Sequence, residues 1–289
     1  MRTEQEMLKL VLDVAEADPR IRAVCMNGSR TNPNAPKDMF RDYDVVYLVT
    51  DMEPYLRDKM WVDVFGKRLI MQTPEDMALF PPELGDRFTY LMLFEDGTRI
   101  DLMLIPIEEM DEYMREDHLT VILLDKDDVL PEIPAPSDKD YHIMPPEGGC
   151  FDDCCNEFWW VATYVAKGLW RHELPYAKRH LDLYVRDMLE KMLEWQIGFE
   201  HGFSVSAGKC GKYLERYLSA EDWNALLSTY SDGDYNNTWE ALFAACALFD
   251  KATKKVAARL GTAVPEYSEK VRPYLEHIRQ LPEDAKEIY

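Results

Sequence analysis

The chain has 289 residues, 47% of them hydrophobic and 30% charged, with 33 Lys and Arg against 54 Asp and Glu for a net charge of −21. That length favours two ordinary cores over one, and no run of about 18 apolar residues is present to cross a bilayer. An acidic surface repels phosphodiester backbones, which counts against nucleic acid as a macromolecular partner and favours a cationic one, unless the acidity only confers solubility.

The opening stretch "MRTEQEMLKLVLDVAEADPR" carries acids throughout and lacks the basic and then apolar regions of a signal peptide. The expected location is therefore the cytoplasm. Within it, Thr3 and Glu6 form a capping box ahead of Met7, Leu10, Val11 and Val14, which recur at helical spacing. Strands follow. "IRAVCM" leads into Gly28-Ser29, "DVVYLVT" follows Asp42-Tyr43-Asp44, and "RFTYLMLFEDGTRIDLMLIP" reads as two strands joined at Asp96-Gly97. "TVILLD" supplies another strand, and helical patterns such as "EPYLRDKMW" lie between them.

Residues 125–149, rich in Pro, Asp and Gly, read as a connecting segment. Beyond it the period changes to three and four, through Phe151, Cys155, Phe158, Ala162, Val165 and Leu169. The same spacing resumes through Leu181, Val185, Met188, Met192 and Trp195 after Pro175 at a helix start. Trp239, Phe243, Cys246 and Phe249 continue it, and Ser268 to Ile278 supply a last helix. The expected class is α+β: a mixed-sheet domain over residues 1–140, then an all-α helical bundle over residues 150–289. The six cysteines are expected as reduced core thiols. Cys150 and Cys154 share a helix face, but no second His or Cys pair completes a zinc set. Two apparent calcium loops lack the required Gly and Glu, and "GFSVSAGKC" has Cys where a P-loop needs Ser or Thr.

The functional signal lies in "MNGSRTNPNAPKDMFRDYDVV". Residues i and i+2 of a strand face one side, so Asp42 and Asp44 project together. Two such carboxylates repel unless a cation sits between them, and hard oxygen ligands suit magnesium, which keeps substrate phosphates in its shell. Gly28 lets backbone approach a phosphate and the Ser29 hydroxyl can donate to it. Asp101 reads as an isolated charge in an apolar strand, and three carboxylates converge if that strand neighbours the one holding Asp44. Taken singly, a Gly-Ser pair or a D-x-D is usually structural; the combination implies a metal-bound nucleotide.

This pattern resembles that of the DNA polymerase beta-like nucleotidyltransferases. More narrowly, "NGSRTNPNAPKDMFRDYDVVYLV", "GTRIDLMLIP", "NEFWWVATYVAKGLWRHELPYAKRHLD", "EKMLEWQIGFEHGFSVSAGKCGKYLERYL" and "WNALLSTY" resemble the aminoglycoside 6-adenylyltransferases, also called streptomycin adenylyltransferases. The resemblance implies an N-terminal nucleotidyltransferase domain, a C-terminal helical substrate-binding domain, and AMP transfer from ATP to the 6-hydroxyl of streptomycin, without fixing the preferred drug. It implies that Ser29 contacts the triphosphate, that Asp42 and Asp44 hold Mg2+, and that Asp101 either binds metal too or takes the proton from the attacking hydroxyl.

Arg30, Lys178, Lys209 and Lys212 are candidates to reach the β- and γ-phosphates. Guanidinium groups of the drug call for carboxylates and aromatic faces. Asp182, with Trp159, Trp170 and Tyr184 near it in sequence, is the candidate acceptor set, unless Asp182 merely pairs with Lys178 one helical turn away. The chain is expected to act as a monomer. The rival readings are a catalytically inactive nucleotide-binding regulatory or antitoxin-like module of the same fold, and a polymerase or tRNA-modifying enzyme. The intact acids count against the first and the net charge against the second.

Overall fold

The computed structural model describes all 289 residues and divides into two compact units, Met1–Asp140 and Tyr141–Tyr289. In the first, helix α1 (Glu4–Ala17) starts at the Thr3 capping box and buries Met7, Val11 and Ala15. Six strands follow: β1 (Ile21–Asn27), β2 (Tyr43–Val49), β3 (Arg68–Gln72), β4 (Phe88–Phe94), β5 (Arg99–Pro106) and β6 (Val121–Asp125). Short helices α2 (Glu53–Arg57) and α3 (Met110–Glu116) interrupt them. Their order in the sheet is β3-β4-β5-β2-β1-β6. Only β2 and β5 run parallel, which makes the sheet mixed.

Alternation along each strand separates the two faces. One carries Val24, Tyr43, Val45, Tyr47, Tyr90, Met92, Ile100 and Leu102 and is sealed by α1. There the Tyr47 hydroxyl donates to the Val11 carbonyl at 2.6 Å, which satisfies its polar tip inside the core. The opposite face buries Ala23, Cys25, Val46, Leu48 and Ile105 with Tyr113 of α3. The edge strand β3 has no alternation in its sequence, and its Leu69 and Ile70 are 64% and 66% exposed. Period-2 reasoning therefore passes over it.

The second unit is helical. Helix α4 (Cys150–Trp170) is followed by α5 (Leu174–Arg179), a π turn (His180–Val185) and α6 (Arg186–His201). Then come α7 (Leu214–Tyr217), α8 (Ala220–Leu227), α9 (Tyr235–Leu260) and α10 (Tyr267–Gln280). Phe158 of α4 stacks on Phe249 of α9 with ring centroids 3.7 Å apart, at the centre of an apolar cluster that includes Val165, Leu189, Met192 and Leu242. All six cysteines are free, but Cys150 and Cys210 are exposed. That corrects the expectation of core thiols for these two: Cys150 occupies the first turn of α4, outside the packed stripe. No helix is long and apolar enough to cross a membrane.

Candidate active site

The site grows from three neighbouring strand ends. In the antiparallel pair β1 and β2, Asn27 is the register partner of Asp44. In the parallel pair β2 and β5, Asp44 is the partner of Asp101. Asp42 precedes β2 by one residue and shares the side of Asp44. Asp42, Asp44 and Asp101 each offer a carboxylate oxygen, and these atoms all lie within 4.8 Å of one another.

Gly28 closes the arrangement. Its φ is +73°, and a Cβ there would stand 2.7 Å from Cγ of Asp44, so only glycine lets the turn lie against that carboxylate. The next residue, Ser29, has its hydroxyl buried with no hydrogen-bond partner. An orphaned buried hydroxyl is unfavourable unless something fills its valence. Here it lies next to the turn that packs on the acids, the place where a phosphate oxygen would be accepted.

Electrostatics point the same way. Burial, and then the charges of Asp42 and Asp101, push the Asp44 carboxyl up to about 7. A trio of carboxylates that raises the proton affinity of its own central member is a set lacking cationic charge. All-carboxylate donors fit a hard divalent metal such as magnesium.

One cation is already present. The Arg99 guanidinium donates through Nε to Asp101 Oδ1 at 2.7 Å and through a terminal nitrogen to Oδ2 at 2.6 Å, and its Nε lies 3.9 Å from Asp42. Asp101 is thus no isolated charge, contrary to the expectation from sequence. Arg99 was legible in "RIDLML": two residues before Asp101 in a strand, it faces the same side.

The remaining candidates separate. Arg30 does not reach outward. Its guanidinium lies 3.5 Å from the centroid of the Tyr43 ring, donates to the carbonyls of Asp42 and Arg41, and pairs with Glu4. It fastens the 31–42 loop to the strand. In the helical unit, Lys178 donates to the Ser231 carbonyl at 2.8 Å and pairs with Asp182 at 3.3 Å. Asp182 is also held by Arg186 at 3.0 Å. These two residues therefore satisfy one another, and neither is a free ligand as expected. Lys209 and Lys212 are exposed on a turn where Gly208, Cys210 and Gly211 all have positive φ. Lys212 leans over the Tyr213 ring, whereas Lys209 makes no ion pair.

The aromatic set divides by exposure. Trp159 packs edge-on against Phe158 and Phe249 at 3% exposure, and Trp170 is fixed by donation from Nε1 to the Leu281 carbonyl. Only Tyr184 is exposed. It sits by His180, whose ring also meets Tyr164 and Tyr176, and Trp160, 58% exposed, donates to the Tyr164 hydroxyl at 2.8 Å. The exposure of Trp160 was not read from the sequence, although the phase of α4 carried the signal. Trp159 is one turn after Cys155 on the core stripe, and Trp160 is rotated about 100° away from it.

A mixed sheet with a Gly-Ser turn on its first strand and three converging carboxylates on the next two defines a nucleotidyltransferase. A model of the family described as streptomycin adenylyltransferase matches residues 1–278. The chain belongs to that family. It is 49% identical to the aminoglycoside 6-adenylyltransferase of Bacillus subtilis (strain 168) over 279 residues, covering 96% of this chain and 98% of that one. It is 47% identical to the aminoglycoside 6-adenylyltransferase of Campylobacter jejuni over 281 residues, covering 97% and 96%. A crystal structure of an aminoglycoside 6-adenyltransferase from Bacillus subtilis aligns with 97% of this chain and 100% of that one at 44% identity, with a TM-score of 0.49.

Proposed function

We propose that the chain transfers AMP from magnesium-bound ATP to the 6-hydroxyl of streptomycin, a reaction that confers resistance to the drug. The observation that carries this reading is the convergence of Asp42, Asp44 and Asp101 within 4.8 Å, beside a buried Ser29 hydroxyl that has no partner. The family and the names of its relatives support the acceptor class.

Asp42, Asp44 and Asp101 would hold the metal, and Mg2+ when bound would neutralise the triphosphate and orient its α-phosphorus. The Ser29 hydroxyl donates to a phosphate oxygen. Asp101, once free of Arg99, accepts the proton of the acceptor hydroxyl as that oxygen attacks the α-phosphorus in line and pyrophosphate leaves. The bond from the α-phosphorus to the bridging oxygen breaks as the new phosphodiester forms, and no covalent enzyme intermediate is needed.

For the acceptor, the exposed rings of Trp160 and Tyr184, joined through contacts of Tyr164 and His180, offer faces to guanidinium groups. Glu157, one turn before Trp160 on α4 and exposed, adds a carboxylate. Pyrophosphate release from ATP is the test. It should require both streptomycin and magnesium, stop with a chelator, and return when magnesium is restored. Equal release with and without the drug would refute the acceptor.

A further inference from the structure

Arg99 has no ionic partner other than the acids assigned to the metal. Its backbone pairs with Leu93 across the β4–β5 ladder, so the sheet does not need its side chain, which is 47% exposed. A fork onto Asp101 occupies both oxygens of a carboxylate that would give one of them to a divalent ion. The ion would compete with the guanidinium for that oxygen.

We propose that Arg99 is a displaceable counter-ion of the carboxylate trio: it neutralises Asp101 in the metal-free protein, competes with the metal for that carboxylate, and turns to the polyphosphate once displaced. The proposal rests on the metal-binding reading above and deepens it. Three acids packed at the end of a parallel strand pair repel one another, and Asp44 in particular gains no hydrogen bond from Arg99. A fork on Asp101 with a longer contact to Asp42 relieves part of that repulsion without blocking Asp44, through which an ion could first be held. Metal arriving with a nucleotide brings the anionic oxygens that give the released guanidinium a new partner; metal arriving alone does not. Metal and nucleotide are thereby coupled, and metal without nucleotide binds weakly.

The competition has an unusual signature, because removing Arg99 strengthens one ligand and weakens another. Isothermal titration with Mn2+ alone, no nucleotide present, should show Arg99→Gln binding about two- to fivefold tighter than wild type, the scale on which an ion pair at a half-exposed site acts. Arg99→Lys, which keeps the charge but cannot form the fork, should fall between them. Adding Asp101→Asn to Arg99→Gln should remove the gain. In the same Arg99→Gln protein the Michaelis constant for Mg-ATP should rise. Mn2+ binding that is unchanged or weaker in Arg99→Gln, with wild type binding measurably, overturns the proposal and leaves the carboxylate trio as the metal site. No Mn2+ binding by either protein overturns both. An unchanged Michaelis constant removes the transfer of Arg99 to the polyphosphate.

Discussion

Replacing Asp44 by Asn should stabilise the metal-free protein while abolishing its activity. Burial and the neighbouring charges of Asp42 and Asp101 raise the Asp44 carboxyl from 3.8 to about 7. A group whose folded pKa is raised contributes stability that is complete below the unfolded value and is lost as pH rises through the folded one. Between pH of about 4 and 7 the folded protein thus loses stability to the ionisation of Asp44. A shift of three units at 1.36 kcal/mol each sets a ceiling of about 4 kcal/mol, and partial exposure leaves about 1–3 kcal/mol of it. Asn removes the charge at almost the same volume and places an amide donor beside Asp42 and Asp101. Urea melts with a chelator present, at pH of about 5 and about 8, should show wild type weaker at the higher pH and Asp44→Asn stronger than wild type there. Adenylylation by the variant should fall by several orders of magnitude, roughly 4 kcal/mol or more of transition-state stabilisation. Magnesium should raise the melting temperature of wild type and not of the variant. A variant that melts below wild type at the higher pH, with the same pH dependence, would refute the view that Asp44 is held at an electrostatic cost awaiting a cation.

Asp101→Asn should lower kcat by about 10²–10⁴, the usual contribution of a general base, with a smaller change in nucleotide affinity; titration of ATP binding beside single-turnover rates separates the two. Trp160→Ala should raise the Michaelis constant for streptomycin and leave that for ATP unchanged, because the ring is exposed and its loss opens no core. In the helical unit, burial alone would raise the Asp222 carboxyl, but hydrogen bonds from Lys251, Lys255 and Gln196 outweigh it and hold the group at about 2. Its stabilisation is complete above pH of about 4 and is lost as pH falls toward 2, so Asp222→Asn should melt lower at neutral pH by about 2 kcal/mol and lose the wild-type dependence in that window.

Much of the first unit was legible because strand periodicity is a local rule. Ser29, Asp44 and Asp101 could be set on one side of a sheet from the spacing of "DYD", "RID" and the Gly-Ser turn, and the β2–β5 pairing then completes the convergence. Arg99 obeyed the same rule and was overlooked, since an acid alone in an apolar strand drew the attention its neighbour shared. The helical unit was legible as a bundle but not in its side-chain partners. Trp159 and Trp160 differ by one residue, hence by about 100° of helix rotation, and only one of them can face the core. The engagement of Lys178 by Ser231 joins residues 53 positions apart, and that of Trp170 by Leu281 joins residues 111 apart. No local pattern announces such contacts. Arg30 shows the same limit: its place over Tyr43 depends on how the 31–42 loop returns to the strand.

The most direct measurement is the mass of the drug after incubation with the purified protein, ATP and magnesium. The account predicts a streptomycin product heavier by one AMP residue, esterified at the 6-hydroxyl, with one pyrophosphate released per drug modified and neither formed by Asp44→Asn. Unmodified drug with intact ATP, or AMP attached at a position other than the 6-hydroxyl, would contradict it.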